Sequence, residues 1–169
     1  MSRKETHENR APYPIRIDRE GVWYYLESEM IRKDIIRLFY DHLHKDDTGE
    51  YFIEMGVEQC FIEVEDTPYV VRAVYKISSH NGSGEYIRLM LNDLSVEDLD
   101  PASLRIGTAN VPYCDVREGR FSARFSRAGY YQIAECIEHD QKQDTYYIEL
   151  NGNRFYLEKP EESHDKRQD

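Results

Sequence analysis

The chain has 169 residues, of which 40% are hydrophobic and 12% aromatic, so it is long enough for one large or two small domains with packed cores. Its formal net charge of -11 and its pI near 5.0 exclude a general binder of nucleic acid or of anionic membranes, because the negative electrostatic field of such a protein repels phosphate groups. No apolar run approaches the roughly 20 residues of a membrane span and residues 1–12 are unlike a signal peptide, so we expect a cytoplasmic protein.

The ordered part of the chain is predicted to lie between two mobile tails and to start with a hairpin. Residues 1–12 and 159–169 mix charge, Ser and Pro without periodicity, as mobile tails do. From residue 13 onward, Ile15–Ile17 and Val22–Tyr25 flank a turn that ends at Gly21. β-branched and aromatic residues on both sides of a Gly turn are typical of a β-hairpin.

A helix and a second hairpin complete a first α+β unit, predicted to span residues 13–65. Apolar side chains at helical spacing predict a helix over Arg32–His44, which Asp46–Gly49 ends. The positions of this apolar stripe are Ile31, Ile35, Leu38, Phe39, His42 and Leu43. The segments Glu50–Met55 and Gln59–Val64 are rich in Tyr, Phe, Ile and Val, and they predict the second hairpin.

The middle of the chain predicts two further strands. Tyr69–Ile77 and Glu85–Leu91 have strand composition, and the segment Ser78–Gly84 between them has the Asn-Gly-Ser-Gly tip of a hairpin loop. A polar stretch over residues 92–103 then contains a short helical turn after Pro101. We expect the two strands to enlarge the sheet of a second unit.

The far end of the chain repeats the pattern of its beginning. Arg117-Glu118-Gly119 echoes Arg19-Glu20-Gly21, and a constant shift of 95 residues carries Arg32–Glu63 onto Arg127–Glu158 with core-facing positions apolar in both copies. The predicted fold is therefore α+β, with two related hairpin-helix-hairpin units. The second unit, residues 66–158, is enlarged by extra antiparallel strands.

Four arginines form the strongest local excess of positive charge: Arg117, Arg120, Arg124 and Arg127. On a strand, Arg120, Ser122 and Arg124 would share the face opposite Phe121 and Phe125, where their guanidinium groups could bind a phosphate. The alternative interpretation is a solvated sheet face that balances nearby acids.

Two of the candidate binding residues stand at predicted helix starts. Arg32 and Arg127 occupy matching places in the two units, where the positive end of a helix assists anion binding. Each could instead pair with a carboxylate such as that of Asp66 and hold the fold together. Asp66 itself, ahead of Thr67-Pro68, is also a typical turn initiator.

A small polar loop supplies the remaining ligand-binding candidates. Gly107–Asn110 precedes Val111-Pro112-Tyr113, so Asn110 and Tyr113 could approach a ligand closely, or the loop could merely turn the chain. No hydrolase elbow, phosphate-binding loop or dinucleotide fingerprint is present. A metal-dependent hydrolase that uses Glu65 and Asp66 remains an alternative, although the spacing of these carboxylates is generic.

The cysteines and histidines predict no metal site and no disulfide framework. Cys60, Cys114 and Cys136 are widely spaced and odd in number, which favours reduced and half-buried thiols. His42 and His44 stand two residues apart on the predicted helix, so they point to different sides and cannot hold a metal together. We expect no cofactor.

Motifs along most of Tyr13 to Glu158 resemble a bacterial family of unknown function, DUF1285. The most specific segment is Val64–Val70, which reads Val-Glu-Asp-Thr-Pro-Tyr-Val. The other matching residues are Trp23, Ile31-Arg32, Leu38-Phe39, Glu58, Ile62-Glu63, Asn92, Leu104-Arg105, Pro112-Tyr113, Arg127 and Tyr130-Tyr131. The resemblance implies a duplicated core, a C-terminal part similar to a pleckstrin-homology domain, and a site for a nucleotide-like molecule at the interface of the two parts. It also implies a role in signalling and no enzyme activity.

The sequence thus predicts a non-enzymatic binding or regulatory module for a small anionic, nucleotide-like ligand. The candidate ligand-binding residues are Arg127, Arg124, Arg32, Asn110, Tyr113 and Asp66. The alternative is a protein interaction scaffold, because fourteen tyrosines and many short strands suit an aromatic sheet surface and a strand-accepting edge. Neither hypothesis includes a nucleic acid polymer or a membrane as partner.

Overall fold

A computed structural model of the chain describes residues 13–82 and 84–158. The two predicted tails, residues 1–12 and 159–169, lie outside the described residues. Mostly short strands and a few helices make up the described part, which confirms the predicted α+β class. Neither α-helix in that part is long and apolar enough to cross a membrane.

The chain divides after Asp66 into two compact units, Met1–Asp66 and Thr67–Asp169. The described residues of the first unit form one six-stranded sheet and one helix. Its elements are β1 (Ile15–Ile17), β2 (Trp23–Tyr25), β3 (Ser28–Glu29), α1 (Lys33–Asp41), β4 (Leu43–Lys45), β5 (Tyr51–Met55) and β6 (Glu58–Val64). The strand order is β3-β2-β1-β6-β5-β4, and all neighbours are antiparallel except the parallel pair β1 and β6.

One face of this sheet forms the core of the first unit. The alternation of the strands turns one set of side chains inward, and these are buried: Ile15, Ile17, Trp23, Leu43, Ile53 and Ile62. Helix α1 packs on this face, where the Trp23 ring lies edge-on to Tyr40 at 5.0 Å and 5.8 Å from Phe39. Aromatic pairs at these separations add to the stability that burial provides.

Helix α1 is shorter than predicted, and its buried side matches the predicted stripe only in part: Tyr40 is buried, and Ile35 and Phe39 are half-buried. It ends at Asp41 because Leu43 leaves the helix and pairs with Ile53 in the sheet. Ile31 lies before the start of the helix and is 81% exposed, and Leu38 within the helix is 40% exposed. The prediction that these two side chains face the core is therefore wrong.

In the second unit, the part of the chain that the structure describes forms a six-stranded sheet, a separate three-stranded sheet and one α-helix. Its elements are β7 (Tyr69–Ser78), β8 (Glu85–Leu91), β9 (Val96–Asp98), β10 (Arg105–Ile106), β11 (Pro112–Val116), β12 (Phe121–Phe125), α2 (Arg127–Ala134), β13 (Ile137–Asp140), β14 (Thr145–Leu150) and β15 (Asn153–Tyr156). The orders are β10-β11-β12-β7-β8-β9 and β13-β14-β15. The extra strands β7 and β8 pair antiparallel as predicted, whereas β7 joins β12 in parallel.

The repeated pattern holds in the hairpins and fails at the helix by one residue. The pair Phe52 and Phe61 in the first unit corresponds, at the predicted shift, to the pair Tyr147 and Tyr156 in the second. Lys45 pairs with Tyr51, however, whereas Asp140 pairs with Thr145 instead of Tyr146. The two hairpins therefore differ in register by one residue where β4 and β13 join them.

The helix starts show the same offset. Arg32 precedes α1 as its N-cap, and Ser126 is the N-cap of α2, so Arg127 is the first residue of its helix. Both arginines lie at the start of their helices, as predicted, although their positions within the helix start differ by one residue. The sheets differ as well, because β6 pairs with β1 while β15 stays outside the six-stranded sheet.

Candidate functional site

The outer face of three strands in the second unit carries the predicted arginine and tyrosine. On β12, Phe121, Ala123 and Phe125 are buried while Ser122 and Arg124 are half-buried, which confirms the predicted alternation. Cross-strand partners share a face of a sheet, so the pairings of Tyr113 with Arg124 and of Arg105 with Tyr113 form a row across β10, β11 and β12. We call this surface the arginine face; its residues are Arg105, Tyr113, Asp115, Ser122 and Arg124.

Arg105 holds the edge of the arginine face together. Its Nη1 donates to Oδ1 of Asp115 at 3.0 Å and to the carbonyl of Ser103 at 3.0 Å, and its Nη2 donates to Oγ of Ser122 at 2.8 Å. The carboxylate of Asp115 balances the charge of Arg105, and Arg124 is the other cation of the row. Sequence reasoning missed Arg105 as part of the face because β10 has only two residues and no visible periodicity.

The loop ahead of β11 is fixed against Tyr113. A Cβ atom on Gly107 would lie 2.5 Å from Cε2 of the Tyr113 ring, so only glycine admits the ring there. Two residues of the loop, Ala109 and Asn110, have left-handed backbones with φ of 57° each. Asn tolerates this conformation, whereas Ala is strained by about 1 kcal/mol. The loop thus places Asn110 three positions before Tyr113, next to the arginine face.

Helix α2 begins directly after β12 and brings Arg127 to the same end of the sheet. Oγ of Ser126 accepts from the N–H of Gly129 at 3.1 Å and caps the helix. The helix then lies along β7, where the N–H of Ser126 donates to the carbonyl of Val71 and the N–H of Val74 donates to Oε1 of Gln132. Arg127 is exposed at this helix start, three positions after Arg124.

The other two arginines of the predicted cluster do not join this face. Arg117 donates to the carboxylate of Asp93, whose side chain is only 8% exposed, and its guanidinium lies 5.1 Å above the Tyr69 ring. Arg120 lies in the turn before β12 and donates from Nε to the carbonyl of Arg117. The prediction of a shared strand face for Arg120 and Arg124 is therefore wrong, and Arg117 has the alternative role of balancing acids.

A cleft of about 540 Å³ borders the arginine face at Asp115. Its lining residues are Glu97, Asp98, Asp100, Asp115, Arg117, Glu118, Gly119 and Arg120. Carboxylates outnumber guanidinium groups there, so the electrostatic potential of this cleft disfavours anions. Among residues 13–82 and 84–158, no three His, Cys, Asp or Glu side chains converge to hold a metal ion.

The two predicted site residues of the first unit have local roles. Nε and Nη2 of Arg32 donate to the two carboxylate oxygens of Asp34, and this pairing lowers the pKa of Asp34. The carboxylate partner of Arg32 is thus Asp34 and not Asp66. Asp66 ends the first unit in a bend, as a turn residue would, and its charge contributes to a raised pKa of Tyr51, after the larger effect of burial.

Burial controls the thiol and phenol groups behind the arginine face. Cys114 on β11 is buried, and desolvation raises the pKa of its thiol, so it stays protonated at neutral pH. Desolvation likewise raises the pKa of Tyr69. Cys60 and Cys136 are half-buried, and all three cysteines are free. The core side of these strands is therefore neutral and apolar.

The chain is similar to members of one family. The profile of the N-terminal domain of DUF1285, a domain of unknown function, matches residues 6–67. A DUF1285 family protein from Silicibacter pomeroyi DSS-3 superposes with a TM-score of 0.71 at 21% identity, covering 86% of this chain and 80% of that one. Another from Shewanella baltica OS155 gives a TM-score of 0.59 at 22% identity, covering 73% of this chain and 91% of that one. No curated protein matches the chain. The structural likeness shows a shared fold.

Proposed function

We propose that this chain, which belongs to the DUF1285 family through its N-terminal domain, is a non-enzymatic binding or regulatory module for a small anionic ligand of nucleotide type. The observation that carries the proposal is the pairing of Tyr113 with Arg124 beside the start of α2, where Arg127 stands. A guanidinium presents forked donors to a phosphate, and the first N–H groups of a helix favour negative charge.

The surroundings of these residues support a ligand surface. Arg105 is engaged by Asp115, whereas Arg127 is exposed. Arg127 is also the first residue of α2, where the side chain of Ser126 caps the N–H of Gly129 only. The left-handed backbones of Ala109 and Asn110 store strain next to Tyr113, and such strain is concentrated at functional sites. A half-buried Tyr ring beside an arginine also suits the stacking of a nucleotide base.

The hydrolase alternative gains no support from the geometry. Glu65 accepts from Nη1 of Arg16 and from the N–H of Arg19, both at 3.3 Å, so its carboxylate has a structural role. Metal-dependent hydrolysis needs ligands that converge, and the described residues contain no such group. A binding role without a chemical step is the simpler proposal.

Two finer expectations from the family resemblance belong to the same proposal. We propose that the six-stranded sheet and α2 of the second unit form a pleckstrin-homology-like arrangement, and that the protein acts in signal transduction in the cytoplasm. The support is the mixed sheet with one helix packed on β7, together with the shared fold of the DUF1285 proteins. A ligand that alters binding to a partner protein would make this a regulatory site.

Thermal-shift measurements with nucleotides test the proposal. A ligand that binds only the folded state stabilises it by about 2.7 kcal/mol at 100 times its Kd. We expect at least one of AMP, ADP, GMP and GDP at millimolar concentration to raise the Tm. Arg124→Gln and Arg127→Gln should abolish the rise, because each removes a guanidinium next to the ligand.

Arg120→Gln is the matched control, since it removes the same charge from the exposed turn before β12. It should keep the ligand-induced rise in Tm. An equal loss of the rise in all three variants would mean that bulk charge, and not this site, binds the nucleotide. No rise with any of the nucleotides would contradict the small-anion proposal.

A further inference from the structure

The outer face of the sheet in the first unit carries aromatic and acidic side chains. Cross-strand pairing puts Glu29, Tyr24, Arg16 and Glu63 in one row and Gln59 beside Glu54 in another. We call this surface the aromatic-acidic face; its residues are Tyr13, Arg16, Tyr24, Glu29, His44, Phe52, Glu54, Gln59, Phe61 and Glu63.

Four rings form a continuous row across this face. His44 stacks on Phe52 with centroids 5.4 Å apart, Phe52 lies 5.6 Å from Phe61, and Tyr13 stacks on Phe61 at 6.1 Å. The rings of Tyr13, Phe52 and Phe61 are half-buried, and the side chain of His44 is 47% exposed. Part of each ring in this row is therefore accessible on the outer face of the sheet.

Carboxylates flank the row on both sides. Glu54 is 42% exposed and accepts from Gln59, and Glu63 is exposed two positions after Phe61. The cation of the face, Arg16, is already engaged by Glu65 at 3.3 Å and lies 4.0 Å above the Tyr24 ring. The face therefore has a net negative charge next to exposed aromatic surface.

The charge of the chain is concentrated in the unit that carries this face. Residues 13–66 contain six Lys or Arg and fourteen Asp or Glu, whereas residues 67–158 contain ten and thirteen. Within the described part of its unit, α1 is the one α-helix, and it packs on the opposite side of the sheet through Trp23 and Tyr40. Within residues 13–66, no helix covers the aromatic-acidic face.

We infer that the aromatic-acidic face is a docking surface for a lysine- or arginine-bearing segment of a partner protein. Cations bind aromatic faces through the ring quadrupole, and carboxylates at the rim of the row pair with the same side chains. A row of rings or a pair of carboxylates is ordinary by itself. A row of rings bordered by Glu54 and Glu63 offers a basic peptide both cation–π contacts and ion pairs. This inference concerns the first unit and is independent of the small-anion proposal.

The charges decide between a basic peptide and two other occupants. A neutral oligosaccharide would use the rings but gain nothing from the carboxylates. A second copy of this chain would bring the same acidic face into contact with itself, and like charges brought together in an interface cost several kcal/mol. A cationic segment is complementary to both the rings and the carboxylates.

Fluorescence anisotropy of fluorescein-labelled octalysine, measured with the full-length chain at low ionic strength, tests the inference. The on-face variant Glu54→Gln/Glu63→Gln is compared with the off-face variant Glu27→Gln/Glu58→Gln. Both remove two charges from the first unit, and Glu58 lies on the same strand as Glu63 but on the opposite face. We expect the on-face variant to bind about tenfold more weakly, and the off-face variant to retain most of the wild-type affinity.

A second pair of variants isolates the rings. Phe52→Leu/Phe61→Leu keeps the charge and most of the apolar volume, and it should also lower the affinity about tenfold. Tyr147→Leu/Tyr156→Leu changes the equivalent pair of the second unit and should not. Melting curves verify that each variant is folded, and a variant that does not fold is replaced by the corresponding single substitution.

Four results would overturn the inference. They are equal weakening by the on-face and off-face variants, wild-type affinity of the leucine variant of Phe52 and Phe61, no binding of octalysine, and self-association in sedimentation that the same leucine variant removes. The last result would identify a second copy as the occupant. Tighter binding of a neutral hexasaccharide than of octalysine would likewise assign the face to sugars.

Discussion

At the scale of single residues, carboxylates from earlier parts of the chain give Arg117 a structural role. Arg117 and Arg124 lie in one short basic stretch of sequence, yet Arg117 is held by Asp93 and Glu97. Those carboxylates come from 24 and 20 residues earlier in the chain, so the sequence stretch itself gives no sign of the pairing. Arg124 lies on β12 and is the cross-strand partner of Tyr113 on the arginine face.

Replacement of Arg117 should destabilise the protein far more than replacement of its neighbour Arg120. Arg117→Ala leaves the carboxylate of Asp93, 8% exposed, without its cation, and breaking such a pair costs about 3 kcal/mol. Arg120→Ala removes an exposed side chain and should change the free energy of unfolding by about 0.5 kcal/mol or less. Urea unfolding followed by circular dichroism measures both. Equal stability of the two variants would contradict the structural role of Arg117.

At the scale of elements, the hairpins were predictable and the shortest strands were not. The alternation of apolar residues located β5, β6, β7 and β8 closely. Strands of two or three residues, such as β3, β9 and β10, are too short to show a period of two, and only pairing across the sheet creates them. For the same reason, the pattern of α1 did not reveal that Leu43 leaves the helix for the sheet.

The packing of α2 on β7 reverses the usual effect of a Gly to Ala change. In an ordinary helix this change stabilises by up to about 1 kcal/mol. A Cβ on Gly129 would lie 2.7 Å from the carbonyl oxygen of Val71, a backbone atom in the middle of the sheet. We therefore expect Gly129→Ala to destabilise by about 1–3 kcal/mol, since overpacking displaces the helix. The measurement is the free energy of unfolding in urea.

The matched control for this prediction is Ala128→Gly, which changes the neighbouring exposed residue of the same turn. It measures the ordinary difference between Ala and Gly, about 1 kcal/mol in favour of Ala. If Gly129→Ala were more stable than the wild type, the close approach of α2 to Val71 would be absent in solution.

At the scale of the whole molecule, the two units differ in charge and in the surface that each presents. The first unit is strongly acidic and shows rings and carboxylates on the aromatic-acidic face, while the second unit presents Tyr113, Arg124 and Arg127. The repeat predicted from the sequence agrees with the hairpins, in which Phe52 pairs with Phe61 and Tyr147 with Tyr156 at the predicted shift. The offset at the helix starts could not be seen in the sequence, because a shift of one residue leaves the hydrophobic pattern nearly unchanged.

The candidate site could be predicted only in part. Sequence reasoning located Tyr113, Arg124 and the loop with Asn110, because strand alternation and a glycine before a strand are local signals. It missed Arg105 and the aromatic-acidic face, because both arise from strands that meet through cross-strand pairing. Pairing of strands distant in sequence leaves no mark on the composition of either strand.

The central claim is that the second unit binds a small phosphorylated ligand with Arg124, Arg127, Tyr113 and the loop at Asn110. The most direct test is an NMR titration of the ¹⁵N-labelled chain with the nucleotide that gives the largest rise in Tm. We expect saturable shifts of the backbone amides at Asn110, Tyr113, Arg124 and the first turn of α2, with the amides of β1 and β5 unchanged. Saturable shifts confined to other parts of the chain, or no shifts at millimolar nucleotide, would contradict the claim.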